Sequence, residues 1–452
     1  MSCKTMLRPW FSQPLVQVVA LAVTAAFCQA DGFSPIRVVG REMMLASPRP
    51  GVRMMAMAYY TQADGAEMMR LSSVQTRSDK LDIVYESFSA DNGRTWSAPR
   101  WLATHTAVEG GMLRRTRMPG FVDPVTGVLV QWTVQGVLPT DHPLEGMKHW
   151  TLWYRLSRDG GRSFYHEGPV IQQGDAYDVN HPMDGVWVGR NSVMIGDSTC
   201  VPIRTRAGLI LQPIQITPVG PDGQYHNPGG GLTYHDSAVL IGRWNEEGTL
   251  DWDLSGRVAG DPQRTTRGMI EPTIAEMGDG RILMVMRGSN DRRPELPGYR
   301  WYAVSTDGGR TFTDPQPWTC ADGEPFHSPS ACSQLVPHSN GQLYWIGNIS
   351  ASNPRGNAPR YPLVIGQVDA ESLLLRKQTV VEIENRAPDE PAWVSLSNFY
   401  AHEDRVSGDI LVYLSPIGKP SSVAGPASAP AGSRIDFTAD AWVYRVAVAP
   451  AR

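Results

Sequence analysis

Short apolar or alternating runs, each entered through a glycine turn, recur along the whole chain. Gly127 precedes Val128-Leu-Val, Gly208 precedes Leu209-Ile-Leu, and Gly280 is followed, after Arg281, by Ile282 to Met286. Gly341 and Gly408 open similar runs, and Gly51 stands before Val52 to Met57. The six glycines are 76, 81, 72, 61 and 67 residues apart. Runs this short, bounded by turn residues, predict strands rather than helices. Each glycine is predicted to sit in the tight turn of a β-hairpin early in a repeat unit. Units of this length suit four-stranded blades with inserted loops. The predicted fold is therefore all-β, a six-bladed β-propeller. The last run, Ala441–Val448, is expected to pair with Ile36–Val39 and close the ring, which removes a free sheet edge.

A second repeat is sharper. Ser89–Trp96, Ser157–Phe164 and Ser305–Phe312 share one order: Ser, Asp two residues on, Gly two further, then a hydroxyl and an aromatic. An aspartate in such a turn accepts bonds from nearby amides, and glycine accepts a positive φ. Each copy follows a strand-like run such as Leu81–Phe88. Asp91, Asp159 and Asp307 are therefore read as turn staples, not as catalytic groups.

Composition narrows the class. Charged residues make up 19% of the 452, against 44 glycines and 36 prolines, which fits many strands and turns. A formal net charge of −4 without a basic stripe argues against a nucleic-acid partner. At the start, Lys4 and Arg8 precede an apolar stretch from Leu15 to Phe27, and Cys28-Gln29-Ala30 places small residues where a signal peptidase reads them. Residues 1–30 are expected to be a cleaved export signal, and 31–452 the mature periplasmic or extracellular domain. No other segment approaches the length of a membrane span. Outside the cytoplasm Cys320 and Cys332, which flank one loop, could form a disulfide, while Cys200 reads as a small buried apolar residue. No spacing reads as a metal site, and no cofactor is implied.

The Ser-x-Asp-x-Gly-x-Thr-Trp box, in three copies each late in a unit, resembles the Asp-box of the sialidases (neuraminidases) and their BNR-repeat relatives. The resemblance covers roughly residues 36–449. It implies a pocket on the propeller axis where three arginines clamp the carboxylate of an acidic sugar. A Tyr paired with a Glu would be the nucleophile, and an Asp the acid/base. Glu271, in Met269–Ile274, resembles the family's Glu, and Arg287, across a hairpin, its second arginine. Arg360, after Ser352-Asn353-Pro354, resembles the third, with Arg355 as a rival. The first arginine is open between Arg117, in Arg117-Met118-Pro119, and Arg41, ahead of Gly51. The acid/base follows that choice: Asp141 in the first case, Asp79 in the second, with Asp64 a further option.

The sixth unit departs from the family. Where the sialidases carry Tyr-Ser, the stretch Val394–Phe399 places Leu396 at the nucleophile's position. Tyr400 lies roughly 13 Å further along an extended strand. The first functional expectation is an exported, sialidase-like glycoside hydrolase acting on glycans with a sialic or uronic acid sugar. The second is a uronate-directed polysaccharide lyase or altered hydrolase; a lyase would draw on His181, Tyr225, His226, Tyr234 and His235 of the third unit. The third is a glycan-binding propeller without catalysis. In every case the expected partner is an acidic glycan or glycoconjugate.

Overall fold

The computed structural model describes residues 36–423 and 435–449, so the expected export signal lies outside the described residues. Six antiparallel sheets follow one another along the chain. Blade one consists of Arg53–Tyr60, Met68–Gln75, Ile83–Ser89 and Arg100–Leu102. Blade four (Ile270–Glu276, Ile282–Arg287, Arg300–Ser305, Gln316–Pro317) repeats that meander. So does blade five (Gln334–Pro337, Leu343–Asn348, Leu363–Val368, Val381–Glu384). Blades two and three have interrupted inner strands. Gly111–Arg117 and Phe121–Val122 both pair with Leu129–Leu138. Val193–Met194 and Ile203–Arg204 both pair with Ile210–Ile216.

Blade six combines Tyr400–Glu403, Ile410–Leu414 and Ala441–Val448 with Ile36–Leu45 from the other end of the domain. Ile36 faces Val448 and Leu45 faces Ala441. The ring is the six-bladed β-propeller that the repeats predicted, closed by the pairing they predicted.

Five of the six turn glycines, Gly127, Gly208, Gly280, Gly341 and Gly408, lie between the first and second strands of blades two to six, at φ between 70° and 92°. Gly51 does not. It belongs to the link from the closing strand into Arg53, and Gly65, between Tyr60 and Met68, fills the equivalent turn of blade one. A count started at Gly51 is therefore one turn out of register in the first blade.

The apolar cores lie between neighbouring blades. Trp132 and Tyr154 of blade two pack with Ile214 and Trp252 of blade three. Val285 and Trp318 of blade four share a cluster with Trp345 and Val364 of blade five. Ile346 and Ile365 of blade five do so with Val412 and Tyr444 of blade six. Cys320 and Cys332 sit in different clusters, and all three described cysteines are free and buried. The helix Pro143–His149 is short, and among the described residues no helix is long and apolar enough to cross a membrane.

Strand alternation gives each blade two distinct ends. First strands start, second strands end and third strands start at one end. The first hairpin and the turn between third and fourth strands lie at the other. All three Asp-boxes fall in that last turn. Asp91 accepts the Thr95 amide at 2.8 Å, the Thr95 hydroxyl at 2.6 Å and the Ser89 hydroxyl at 2.8 Å. The Thr95 hydroxyl foremost holds the Asp91 pKa down at about 2. Asp307 accepts the same set from Thr311 and Ser305. At the same end Asp123 and Asp404 tie blades together. Buried Asp123 takes Arg204 at 2.6 Å and Trp244 at 2.5 Å from blade three, and Asp404 takes Asn92 of blade one at 2.6 Å.

Replacing Asp307 with Ala should destabilise the fold by about 1–3 kcal/mol through lost turn hydrogen bonds. Ligand affinity per folded molecule should stay unchanged, because the box is at the end away from the strand starts. The folded pKa of Asp307, about 2, is below that of a free aspartate, roughly 4. Its contribution is therefore complete above about pH 4 and lost as pH falls towards 2. Denaturant melts of the wild type and Asp307→Ala should converge over that window. Equal separation at pH 5 and pH 2 would contradict the staple.

Candidate functional site

The strand-start end of the ring gathers the candidate groups. Glu271 is the second residue of the inner strand of blade four, where the register slips between Ile270 and Thr273. Its φ is +50°, a conformation a glutamate rarely adopts and one that marks stored strain. Arg287 ends the next strand, opposite Ile270. Its Nη1 donates to Glu271 Oε1 at 2.5 Å, its Nε to Ser330 Oγ at 2.8 Å and its Nη2 to Asn357 Oδ1 at 3.3 Å. The two side chains are 7% and 12% exposed. Arg360, in the loop before the third strand of blade five, donates to the Ser330 carbonyl at 3.1 Å. Arg287 and Arg360 thus meet at one residue. Glu271 Oε2 and Arg360 Nε are buried without a hydrogen-bond partner among the described residues.

A third guanidinium joins them from blade one. Arg53 is the first residue of that blade's inner strand and is 3% exposed. It donates to the carbonyls of Ser415 (3.1 Å) and Ser397 (3.2 Å) and to Gln75 Oε1 (3.4 Å). Burial above all, and then the charge of Arg360, bring its pKa down to about 10 against the opposing charge of Asp197. The register counted from Gly51 passes over Arg53. Its signal in the sequence is that it is the one charged residue between Val52 and Ala58.

Arg41 and Arg117, the two expected first arginines, lie elsewhere. Arg41 is on the outermost strand of blade six, donates to Glu384 at 2.6 Å and stands 4.8 Å over the Trp442 ring. An outermost strand cannot reach the axis. Arg117 donates to Thr133 on the neighbouring strand at 2.7 Å, and the carboxylates its charge feels are Glu167 and Glu86 of the blade sheets. Of the three, it is Arg53 whose charge reaches Arg360.

The acids divide in the same way. Asp141 is held by Arg114 at 2.6 and 2.7 Å and by Lys80 at 2.8 Å. The Arg114 bonds foremost keep its pKa far below the ordinary carboxylate range, which makes it a poor proton donor and corrects that expectation. Asp79, in the exposed loop beside Lys80, adopts φ +59°, and its charge reaches Arg360. Asp64 is at the far end, next to Gly65 in the blade-one hairpin.

One acid was not anticipated. Asp197 lies in the interruption of the blade-three inner strand and accepts Asn398 Nδ2 at 2.7 Å. Burial foremost, and then the charge of Glu271, raise its pKa above the ordinary value. Asn398, at φ +57°, donates its amide to Cys332 Sγ at 3.3 Å, and burial pushes that thiol up to about 12. Leu396 is wholly buried between blades five and six. Tyr400 is buried against His402 and Tyr413. No tyrosine hydroxyl bonds Glu271 among the described residues. In blade three Tyr234 donates its hydroxyl to the Gly260 carbonyl at 2.6 Å, and His181 stacks on Trp187 at 4.6 Å.

The resulting site is cationic. Arg267 and Arg300 feel the charges of Arg287, Arg360 and Glu271. Of Arg53, Arg267, Arg287, Arg300 and Arg360, only Arg287 has a carboxylate within 4 Å among the described residues. Buried cations without counter-charge cost several kcal/mol each, and an anion arriving at them offsets that cost. Among the described residues no group of three or more His, Cys, Asp or Glu side chains could hold a metal ion.

Residues 186–386 match a family described as BNR repeat-like domain. No curated protein matches the sequence. Solved structures do resemble it. A protein of unknown function from Dyadobacter fermentans is similar over 92% of this chain and 99% of its own, at 13% identity and a TM-score of 0.56. A Trypanosoma rangeli sialidase in complex with the inhibitor DANA is similar over 89% of this chain and 55% of its own, at 12% identity and a TM-score of 0.51. The intramolecular trans-sialidase from Ruminococcus gnavus, in complex with oseltamivir carboxylate, is similar over 91% and 98%, at 10% identity and a TM-score of 0.55. Identities this low speak for the fold alone. With six blades and three Asp-boxes in place, residues 186–386 match the BNR repeat-like domain and the described chain has a six-bladed propeller fold similar to that of these structures.

Proposed function

We propose that the axial pocket binds the carboxylate of a sialic or uronic acid sugar on a glycan, and that the protein is an exported glycoside hydrolase working without a tyrosine nucleophile. The observation that carries this reading is the meeting of Arg287 and Arg360 at Ser330 beside Glu271. Guanidinium forks match a carboxylate bidentately, and Arg53 adds a third cation nearby. One of the solved neighbours holds oseltamivir carboxylate, an acidic ligand, which agrees with this choice.

In this reading Glu271, held in place by its bond from Arg287, takes a proton from a water. That water's oxygen bonds to the anomeric carbon as the glycosidic bond breaks. Asp79, on the exposed rim, gives its proton to the leaving oxygen. Burial and the charge of Glu271 raise the pKa of Asp197, which lessens its tendency to carry a second negative charge beside an acidic sugar. A non-catalytic glycan binder is the second reading, and Leu396 at the nucleophile's position favours it. The lyase reading has less support, because the Tyr234 hydroxyl is already bound to a backbone carbonyl.

Incubation with a panel of acidic glycans separates the readings. A new reducing end indicates hydrolysis, an unsaturated product indicates a lyase, and binding without product indicates the second reading. Arg287→Ala should weaken binding of a carboxylated sugar by about 10- to 100-fold, the worth of a charge-assisted pair. Glu271→Gln should keep binding but lower turnover by at least about 100-fold. Equal turnover in Glu271→Gln and wild type would end the hydrolase reading. Export is tested separately: the mature protein, recovered from outside the cytoplasm, should begin at Asp31 by N-terminal sequencing.

A further inference from the structure

Next to the clamp lies a buried cation that the reading above does not use. Arg267 is in the segment that leads into the blade-four inner strand and is 5% exposed, about as little as Arg287 at 6%. Its Nη2 donates to Thr233 Oγ1 at 2.6 Å, while its Nε is buried with no partner. Among the described residues no carboxylate lies within 4 Å of it. Besides Glu271, the acid whose charge it feels is Asp291, and Asp291 is already engaged by the Thr266 hydroxyl and the Leu232 amide.

A second orphan stands at the same place. His235 is 1% exposed, and both its ring nitrogens lack a hydrogen-bond partner. The charges it feels are those of Arg267 and Arg287, so one buried imidazole is shared by the clamp and by Arg267. Buried polar atoms are almost always satisfied, and a cluster of unsatisfied ones points to a missing ligand or ordered water. The loop over Arg267 is shaped to lie close. A Cβ on Gly229 or Gly231 would come within 2.4 Å of the Thr266 carbonyl, and one on Gly231 within 2.5 Å of Arg267 Cγ. Beyond that loop Tyr225 feels the charge of Arg267, and exposed Lys148 stands 5.6 Å over the Tyr225 ring.

We propose that Arg267, with His235 beside it and Lys148 further out, forms a second oxyanion subsite that takes a carboxylate or sulfate on the sugar next to the one held in the clamp. The substrate class is then a glycan with acidic groups on adjacent residues, not one with a single acidic cap. This rests on the clamp reading above. The bland account is that Arg267 only props the glycine loop through Thr233. In that account its loss changes the affinity for one-acid and two-acid ligands equally.

The test uses the full mature chain and calorimetric titration with four probes: N-acetylneuraminic acid and its α2,8-linked dimer, and galacturonic acid and its α1,4-linked dimer. A sulfated, otherwise neutral sugar linked to either acid distinguishes sulfate from carboxylate in the second position. The wild type should bind one dimer at least about tenfold more tightly than its monomer, the worth of one added charge-assisted contact. Arg267→Gln should bring that ratio near one, and Arg267→Lys should restore part of it. Lys148→Ala, at an exposed position where folding is not at issue, should lower the ratio several-fold. A ratio near one in the wild type, or a ratio unchanged in both Arg267→Gln and Lys148→Ala, overturns the subsite while leaving the clamp standing. If no monomer binds, or if Arg287→Ala binds them all as wild type does, the clamp reading itself falls and takes the subsite with it.

Discussion

The pairing of Ile36–Leu45 with Ala441–Val448 joins the two ends of the domain into one blade, and the site depends on that joint. A propeller buries its apolar surface between blades, so each blade needs a neighbour on both sides. Without the joint, blades one and six would each expose a face. The joint also fixes the clamp. Arg53 follows the closing strand after a short link, its neighbour Met54 donates its amide to the Ala439 carbonyl at 2.8 Å, and its guanidinium reaches the carbonyls of Ser397 and Ser415 in blade six. The same contacts that latch the ring aim the arginine.

The axial end concentrates charge that the fold alone would not favour. Four buried or half-buried guanidiniums lack a carboxylate partner among the described residues, and they are held instead by carbonyls, hydroxyls and amides. Such bonds satisfy donors but leave the positive charge uncancelled. The Glu271–Arg287 pair is the exception, and it requires a glutamate at positive φ. Strain and uncancelled charge at one place are the marks of a surface kept for a ligand rather than for stability.

How much of this could be read from the sequence follows from how local each signal is. The Asp-boxes were legible because each is one turn of eight residues whose bonds are internal. Glu271 and Arg287 were legible because one hairpin holds both. Arg360 is carried by a short motif, and it stands near Arg287 at Ser330. Arg53 was not, because its position depends on which glycine opens blade one, and Gly51 and Gly65 both stand near apolar runs. Arg41 was misplaced by that same shift, and Arg117 by a local Arg-x-Pro likeness that says nothing of where in the blade the residue stands. Asp197 left no periodic trace, since it lies where an inner strand is broken and its significance comes from Glu271 and Asn398, distant in sequence.

The absent tyrosine is more than one substitution. Leu396 is packed into the core between blades five and six, and its amide is bonded to the Arg360 carbonyl at 2.9 Å. A tyrosine there would enter that core, not the pocket. Two residues on, Asn398 is turned by a positive φ and bonded to Asp197 and Cys332. Blades three and six thus bring together an amide, a thiol and an acid whose pKa is raised, while blades one, four and five supply Arg53, Arg287 and Arg360. On the proposed reading, recognition of a carboxylate and the choice of nucleophile would come from different blades, so the fold can vary one without the other. If the proposed reading holds, the chemistry at the anomeric carbon is where this chain should differ from the sialidases, and an acid-sugar preference is where it should resemble them.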